Sequence, residues 1–322
     1  MKDNKILNII IPAYNAKETL EKTLMSLSIQ RTKYNFDVLV VNDKSDYAYE
    51  DIIDKYSKYL EIKELILNEN VGPGQARQKG IEQTNNKYIM FIDADDYLYS
   101  PYSIEKLINK IEKTNADVVI SNFILERDNK REIKELDNIW LHGKIFKRQF
   151  IEDNKVTFNL TRKNEDNGFN RLLWLIGDIV EYLDEVTYVY QENSNSITRK
   201  DNRKYKLYGL EGLAENMYWA YEEAKKRKVV EDLLQIHLLT TLTASYYYYN
   251  ELQKEYDVSL ILKWFKKIYI KYKEYEYNQN TIDEYLHLNK DILETIKEPY
   301  ITYKEYLNKL EEYNDWYNNT NL

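Results

Sequence analysis

The chain has 322 residues, 43% of them hydrophobic, enough for one large domain with an appendage or for two domains. It has no cysteine, which excludes disulfides, thiolate metal sites and a cysteine nucleophile. A net charge of −8 argues against a general nucleic-acid binder, and no segment reaches the ~20 apolar residues that cross a bilayer. The opening MKDNKILNIIIPAYN carries no cleavage site, so the expected location is cytoplasmic, or peripheral to the inner face of the membrane.

In chain order, ILNIIIP reads as a strand buried on both faces, and Leu20, Leu24 and Leu27 then recur at helical spacing. FDVLVV is a second strand, followed by a helix over Tyr47 to Tyr59. IKELILN is a third, followed by a helix over Gly74 to Thr84. YIMFID is a fourth, and Ile104, Leu107, Ile108 and Ile111 form the stripe of the next helix. Continuous apolar strands separated by short helices predict an α/β fold, a mostly parallel sheet with helices on both faces. ADVVISNFIL adds a strand. The stretch 126–200 is irregular, with a helix at Glu165 to Ile176 and an edge strand or antiparallel strand pair in IVEYLDEVTYVYQ. Beyond residue 204 only helical periodicity is left. Leu234, Leu238, Leu239 and Leu242 share one face, and Ile261, Trp264, Phe265, Ile268 and Tyr272 another.

Ligands of such sheets bind beyond the carboxyl ends of the strands, and the polar residues collect there. Strand one ends in Pro12, Ala13, Tyr14 and Asn15, and strand two in Asp43. Strand three leads into NVGPGQARQKG, and strand four ends in Asp93, Ala94, Asp95 and Asp96. Crowded carboxylates repel unless a cation neutralises them, and Mg²⁺ or Mn²⁺ suits hard oxygen ligands at this spacing. A solvated turn capping the next helix is the alternative. Gly72 and Gly74 permit close backbone approach, the helix after them offers N–H groups to an anion, and Arg77 is placed to pair with a phosphate or a base edge. His142 and Lys144 in LHGK stand apart from these motifs. The basic run 196–206 reads as a solvated face or as a lid.

Four of these segments, collinear over residues 6–98, resemble the nucleotide-sugar-binding half of family 2 glycosyltransferases, which have the GT-A fold. They are IIIPAYNAKETLEKTLMSL, VLVVNDKSD, NVGPGQARQKG and YIMFIDADDYL, the last with an Asp-x-Asp signature. LHGKIFKRQFIEDNKVTF, NEDNGFNRLL and YQENSNSITR extend the resemblance to residue 199. Asn42 stands where the family commonly has Asp. Lys44 stands where it has Gly, so that loop is expected to differ in backbone or to add a phosphate contact.

The resemblance implies a GT-A domain over 1–203, with a nucleotide-sugar-binding half at 1–98 and an acceptor half at 99–203, before a helical region at 204–322. It implies a metal-dependent inverting hexosyl or N-acetylhexosaminyl transfer. The donor would be a nucleoside-diphosphate sugar, a UDP-sugar favoured, and the acceptor a hydroxyl of a surface glycan, capsule or teichoic acid. Asp95 would be the best ligand for Mn²⁺ or Mg²⁺, Asp93 would ligate nearer the ribose, and Asp96 is an alternative. Pro12, Ala13 and Tyr14 would line the base pocket, and Asp43 would accept from a uracil N3–H. Gly74, Arg77 and Ala94 would serve the base or diphosphate, with His142 and Arg199 close to it. Asp166 would be the catalytic base. Two other readings are a phage-type enzyme acting on modified bases of DNA and a sugar-nucleotide-binding module without catalysis.

Overall fold

The computed structural model describes residues 5–128, 130–135, 137, 139–177, 179–192, 204–253, 256–288, 290 and 303–319. The chain divides into two compact units, Met1–Asp201 and Asn202–Leu322.

The first unit is built on one sheet. Its opening elements alternate: β1 (Lys5–Ala13), α1 (Lys17–Ser28), β2 (Asn35–Asn42), α2 (Glu50–Ser57), β3 (Glu61–Ile66), α3 (Pro73–Glu82) and β4 (Tyr88–Phe91). A two-residue strand β5 (Tyr97–Leu98), α4 (Ser103–Thr114), β6 (Val118–Arg127), β7 (Lys130–Lys134) and β8 (Lys144–Lys147) follow. α5 (Arg148–Asp153), α6 (Glu165–Ile176) and β9 (Val180–Gln191) complete it. The sheet order is β3-β2-β1-β4-β8-β6-β9-β5, with β7 paired to β6. β1, β2, β3 and β4 run parallel, whereas β8 is antiparallel to both β4 and β6. This is the GT-A-like arrangement the sequence leads one to expect. Leu7, Ile9, Ile11, Val40, Met90 and Ile92 pack with Leu20, Leu24, Ile104, Leu107 and Ile108 in one core, because strands covered on both faces bury every side chain.

Three departures from the expected elements have physical causes. α2 begins at Glu50 rather than Tyr47, because Tyr47 and Tyr49 extend their hydroxyls to accept from the backbone N–H groups of Lys17 and Ala16 at the start of α1. IVEYLDEVTYVYQ is not an edge strand or a strand pair but one long strand. It lies between β6, to which it is parallel, and β5. Asp184 and Glu185 bulge out where the register slips, and Asn122 donates to the Asp184 carboxylate there. β5, β7, β8 and α5 carry two to six residues, too few to display a period.

Every element among the described residues of the second unit is a helix: α7 (Lys204–Lys226), α8 (Glu231–Leu252), α9 (Ser259–Tyr272), α10 (Gln279–Leu288) and a final helix, Tyr303–Asn319. Leu234, Leu238, Leu239 and Leu242 are buried, as are Ile261, Phe265 and Ile268. Among the described residues no helix is long and apolar enough to cross a membrane.

Candidate active site

Parallel pairing in register brings the ends of β1, β2 and β4 to one rim, with Ala13 opposite Asn42 and Ile10 opposite Phe91. Asp43 is fixed there by its backbone N–H, which donates to Ala13 O at 2.9 Å. Its carboxylate accepts from Val71 N at 2.7 Å and Gly72 N at 2.8 Å. Burial pushes its pKa up in spite of those two donors. Gly72 has φ of 88°, a left-handed conformation that costs glycine nothing. Lys44 also has positive φ, 61°, so this lysine adopts backbone geometry that a glycine would take more easily. Ala13 is buried, Pro12 half-buried, and Tyr14 exposed beside them.

The other half of the site is a chain of buried charges. Arg77, in the second turn of α3, is 4% exposed. Its Nη2 donates to Asp93 Oδ1 at 2.5 Å and its Nη1 to Glu165 Oε1 at 2.9 Å. Gly74 makes this possible, since a Cβ there would stand 2.3 Å from Glu165 Cγ. Burial opposes ionisation of Asp93, but Arg77 and His142 outweigh it and hold that carboxyl well below the usual range. Glu165 has the opposite balance: burial and the neighbouring Asp166 carboxylate push it up to about 7 against the pull of Arg77. Asp166 is half-buried in the first turn of α6, accepts from Asn167 N at 2.8 Å, and is raised by burial.

Asp96 and Asp95 part company after the strand. Asp96 turns inward, its N–H donating to Asp93 O at 3.0 Å. Its carboxylate accepts from the Tyr188 hydroxyl at 2.6 Å and Gln191 N at 2.8 Å, and burial raises its pKa well above the ordinary value. Asp95 and Asp93 are half-buried, and Ala94 is buried between them. His142 lies between the rings of Tyr188 and Tyr190, at centroid distances of 5.0 and 4.9 Å, with Nε2 3.8 Å from Asp93 and 3.7 Å from Asp96. Its Nδ1 is buried without a hydrogen-bond partner. Lys144, two residues on, is 1% exposed, donates to Trp140 O, and burial lowers its pKa to about 8.

Donor atoms of Asp93, Asp96 and His142 lie within 4.8 Å of one another. Two carboxylates and an imidazole fit a divalent cation such as Mn²⁺, and an imidazole nitrogen fits it better than Mg²⁺. Asp95 is not one of these three. Of the residues singled out from sequence, Arg77, Asp93 and His142 come together with Asp166 close by, and Asp43, Pro12, Ala13 and Tyr14 line the neighbouring rim. Arg199 and most of the 196–206 run lie outside the described residues. Glu165 as the partner of Arg77, and Tyr188 and Tyr190 around His142, are residues that the sequence motifs do not single out. The Tyr-x-Tyr alternation in TYVYQ is the one signal that puts both rings on one strand face.

The chain, over residues 8–164, matches the family model for Glycosyl transferase family 2. It is 25% identical over 269 residues to the glycosyltransferase GlyA of Streptococcus pneumoniae serotype 4, covering 73% of this chain and 38% of GlyA. It is 24% identical over 252 residues to the poly(ribitol-phosphate) beta-N-acetylglucosaminyltransferase TarS of Staphylococcus aureus, covering 71% of this chain and 44% of TarS. The chain thus spans less than half the length of these two relatives. The crystal structure of S. aureus TarS 1-349 in complex with UDP-GlcNAc shares the fold, with a TM-score of 0.56 at 16% identity over 85% of this chain and 94% of that one.

Proposed function

We propose that the chain is an inverting transferase that moves a hexosyl or N-acetylhexosaminyl group from a UDP-sugar to a hydroxyl of a surface glycan. The observation that carries this reading is the Asp93–Arg77–Glu165 bridge. It ties the carboxylate at the end of β4 to the helix start that bears Asp166, so donor and acceptor sides meet across two hydrogen bonds. The names of the relatives, GlyA and the teichoic-acid transferase TarS, support the reaction class and the UDP-sugar donor.

Asp43, with Pro12, Ala13 and Tyr14, would hold the base. The Asp43 carboxylate has lone pairs beyond the two already taken, and a uracil N3–H can use one. Asp93 and His142, with Asp96 or Asp95, would hold the divalent cation. When bound it would supply positive charge where the diphosphate departs. The Asp166 carboxylate takes the acceptor O–H proton. The acceptor oxygen bonds to the anomeric carbon from the face opposite the diphosphate, and the C–O bond breaks with its electron pair leaving on the diphosphate. Inversion follows from that single displacement. Asp43, Gly74, Arg77 and Ala94 orient the donor, and the stacked Tyr188 and Tyr190 rings exclude water from His142. The test is Asp166→Asn. It should bind UDP-sugar as the wild type does while transfer falls about 10²–10⁴-fold. Transfer at the wild-type rate would mean that another group is the base.

A further inference from the structure

Glu165 is unusual for an acid in the first turn of a helix. Such residues ordinarily face water, where they favour the helix dipole. Glu165 is instead 5% exposed and turned inward onto Arg77, and Gly74 has no side chain where Glu165 passes. Arg77 is equally buried, its Nε has no hydrogen-bond partner, and two carboxylates hold its guanidinium. One of those carboxylates, Asp93, is also in the candidate cation group. A divalent cation on Asp93 therefore binds next to a guanidinium whose Nη2 is 2.5 Å from the same carboxylate. In a partly dry site that like-charge contact opposes binding unless a further negative charge offsets it.

We propose that Glu165 is a positioning residue for the cation: it neutralises Arg77 and so leaves Asp93 free to ligate a divalent metal beside a fixed positive charge. The inference rests on the metal-dependent donor reading above and adds to it a residue that touches neither metal nor sugar. Asp93 is then shared between a fixed guanidinium and an exchangeable cation, and Glu165 sets the balance. Gly74 is part of the same device, since any side chain there displaces Glu165.

The experiment titrates Mn²⁺ into the full chain at pH 8, reading free Mn²⁺ by electron paramagnetic resonance, without and with UDP. Glu165→Gln keeps the shape and removes the charge, and it should weaken Mn²⁺ binding on the order of tenfold or more. Gly74→Ala, which displaces Glu165 without deleting it, should weaken binding in the same direction. The double variant Arg77→Met/Glu165→Gln removes both charges and should recover most of the lost Mn²⁺ affinity, read on folded protein, the coupling expected of two charges in contact. Equal Mn²⁺ affinity in wild type and Glu165→Gln would overturn the role of Glu165 and leave the donor reading standing. A double variant weaker than Glu165→Gln would overturn it too; if Glu165→Gln fails to fold, Gly74→Ala carries the test, and wild-type Mn²⁺ affinity in that variant would overturn the role of Glu165. No Mn²⁺ binding by the wild type in either arm would overturn the metal-dependent reading itself, and the inference with it.

Discussion

Asp166, the base proposed above, must be ionised to accept a proton, yet its carboxyl sits where burial disfavours ionisation. Its pKa lies above the ordinary aspartate value, so at saturating Mn²⁺ kcat/KM should fall as pH drops through that raised value, and in Asp166→Asn this acid limb should vanish along with most of the rate. A pH–rate profile of the two proteins checks it. Lys144 is the other residue whose burial has a measurable consequence. A lysine lowered from 10.5 to about 8 carries a stability penalty that grows as pH falls from the ordinary value through 8 and is complete at pH 7. After allowing for the lost bond to Trp140 O, Lys144→Met should stabilise the fold at pH 7 by about 2 kcal/mol, a gain that shrinks toward pH 10, as denaturant unfolding at both pH values would show. Much of this site is legible residue by residue. Asp43, Arg77, Asp93 and Asp166 sit in collinear motifs at the ends of readable elements. The Arg77–Glu165 bond is not, since it joins positions 88 apart, a pairing that only the folded sheet creates. Nor does DADD say which acid turns inward: the Asp96 N–H to Asp93 O turn decides that, and it points Asp96 at Tyr188.

α3 shows how an element can be shaped by what it must approach. Gly74 and Gly80 lie in the same ten-residue helix, where each costs roughly 1 kcal/mol against alanine. Gly74 clears Glu165, while Gly80 clears β1: a Cβ at Gly80 would stand 2.3 Å from Cγ2 of the fully buried Ile10. Gly80→Ala should therefore destabilise in spite of its better helix propensity, by about 1–3 kcal/mol for the overpacking less that gain. A lower urea midpoint with an unchanged slope would be the expected sign. The long elements are readable because each repeats its period several times, and α6 runs over Glu165–Ile176 as the spacing predicts. β9 is harder to read because its alternation breaks at Asp184 and Glu185. An acidic pair between two apolar alternations signals a turn as readily as a bulge, and only the pairing of β9 with β6 decides for the bulge.

At the scale of the molecule the composition has a structural outlet. Among the 32 tyrosines, Tyr49, Tyr56, Tyr88 and Tyr188 are buried in the first unit and Tyr221, Tyr269, Tyr285 and Tyr313 in the helical one, so tyrosine fills core positions in both. The lysines of α9 lie along rings, Lys267 4.3 Å from the Trp264 centroid and Lys266 5.4 Å from that of Tyr317, consistent with stems packed on aromatic surface and charges in water. The chemistry proposed for this chain belongs to the first unit, where Asp43 and Asp93 stand just past strand ends and Asp166 at the start of α6. The measurement that tests this most directly is calorimetric titration of the full chain with UDP, GDP and CDP, each with and without Mn²⁺. The account predicts that UDP binds more tightly than GDP or CDP and that Mn²⁺ tightens it further. Binding of UDP that Mn²⁺ leaves unchanged, or no preference among the three nucleotides, would contradict it.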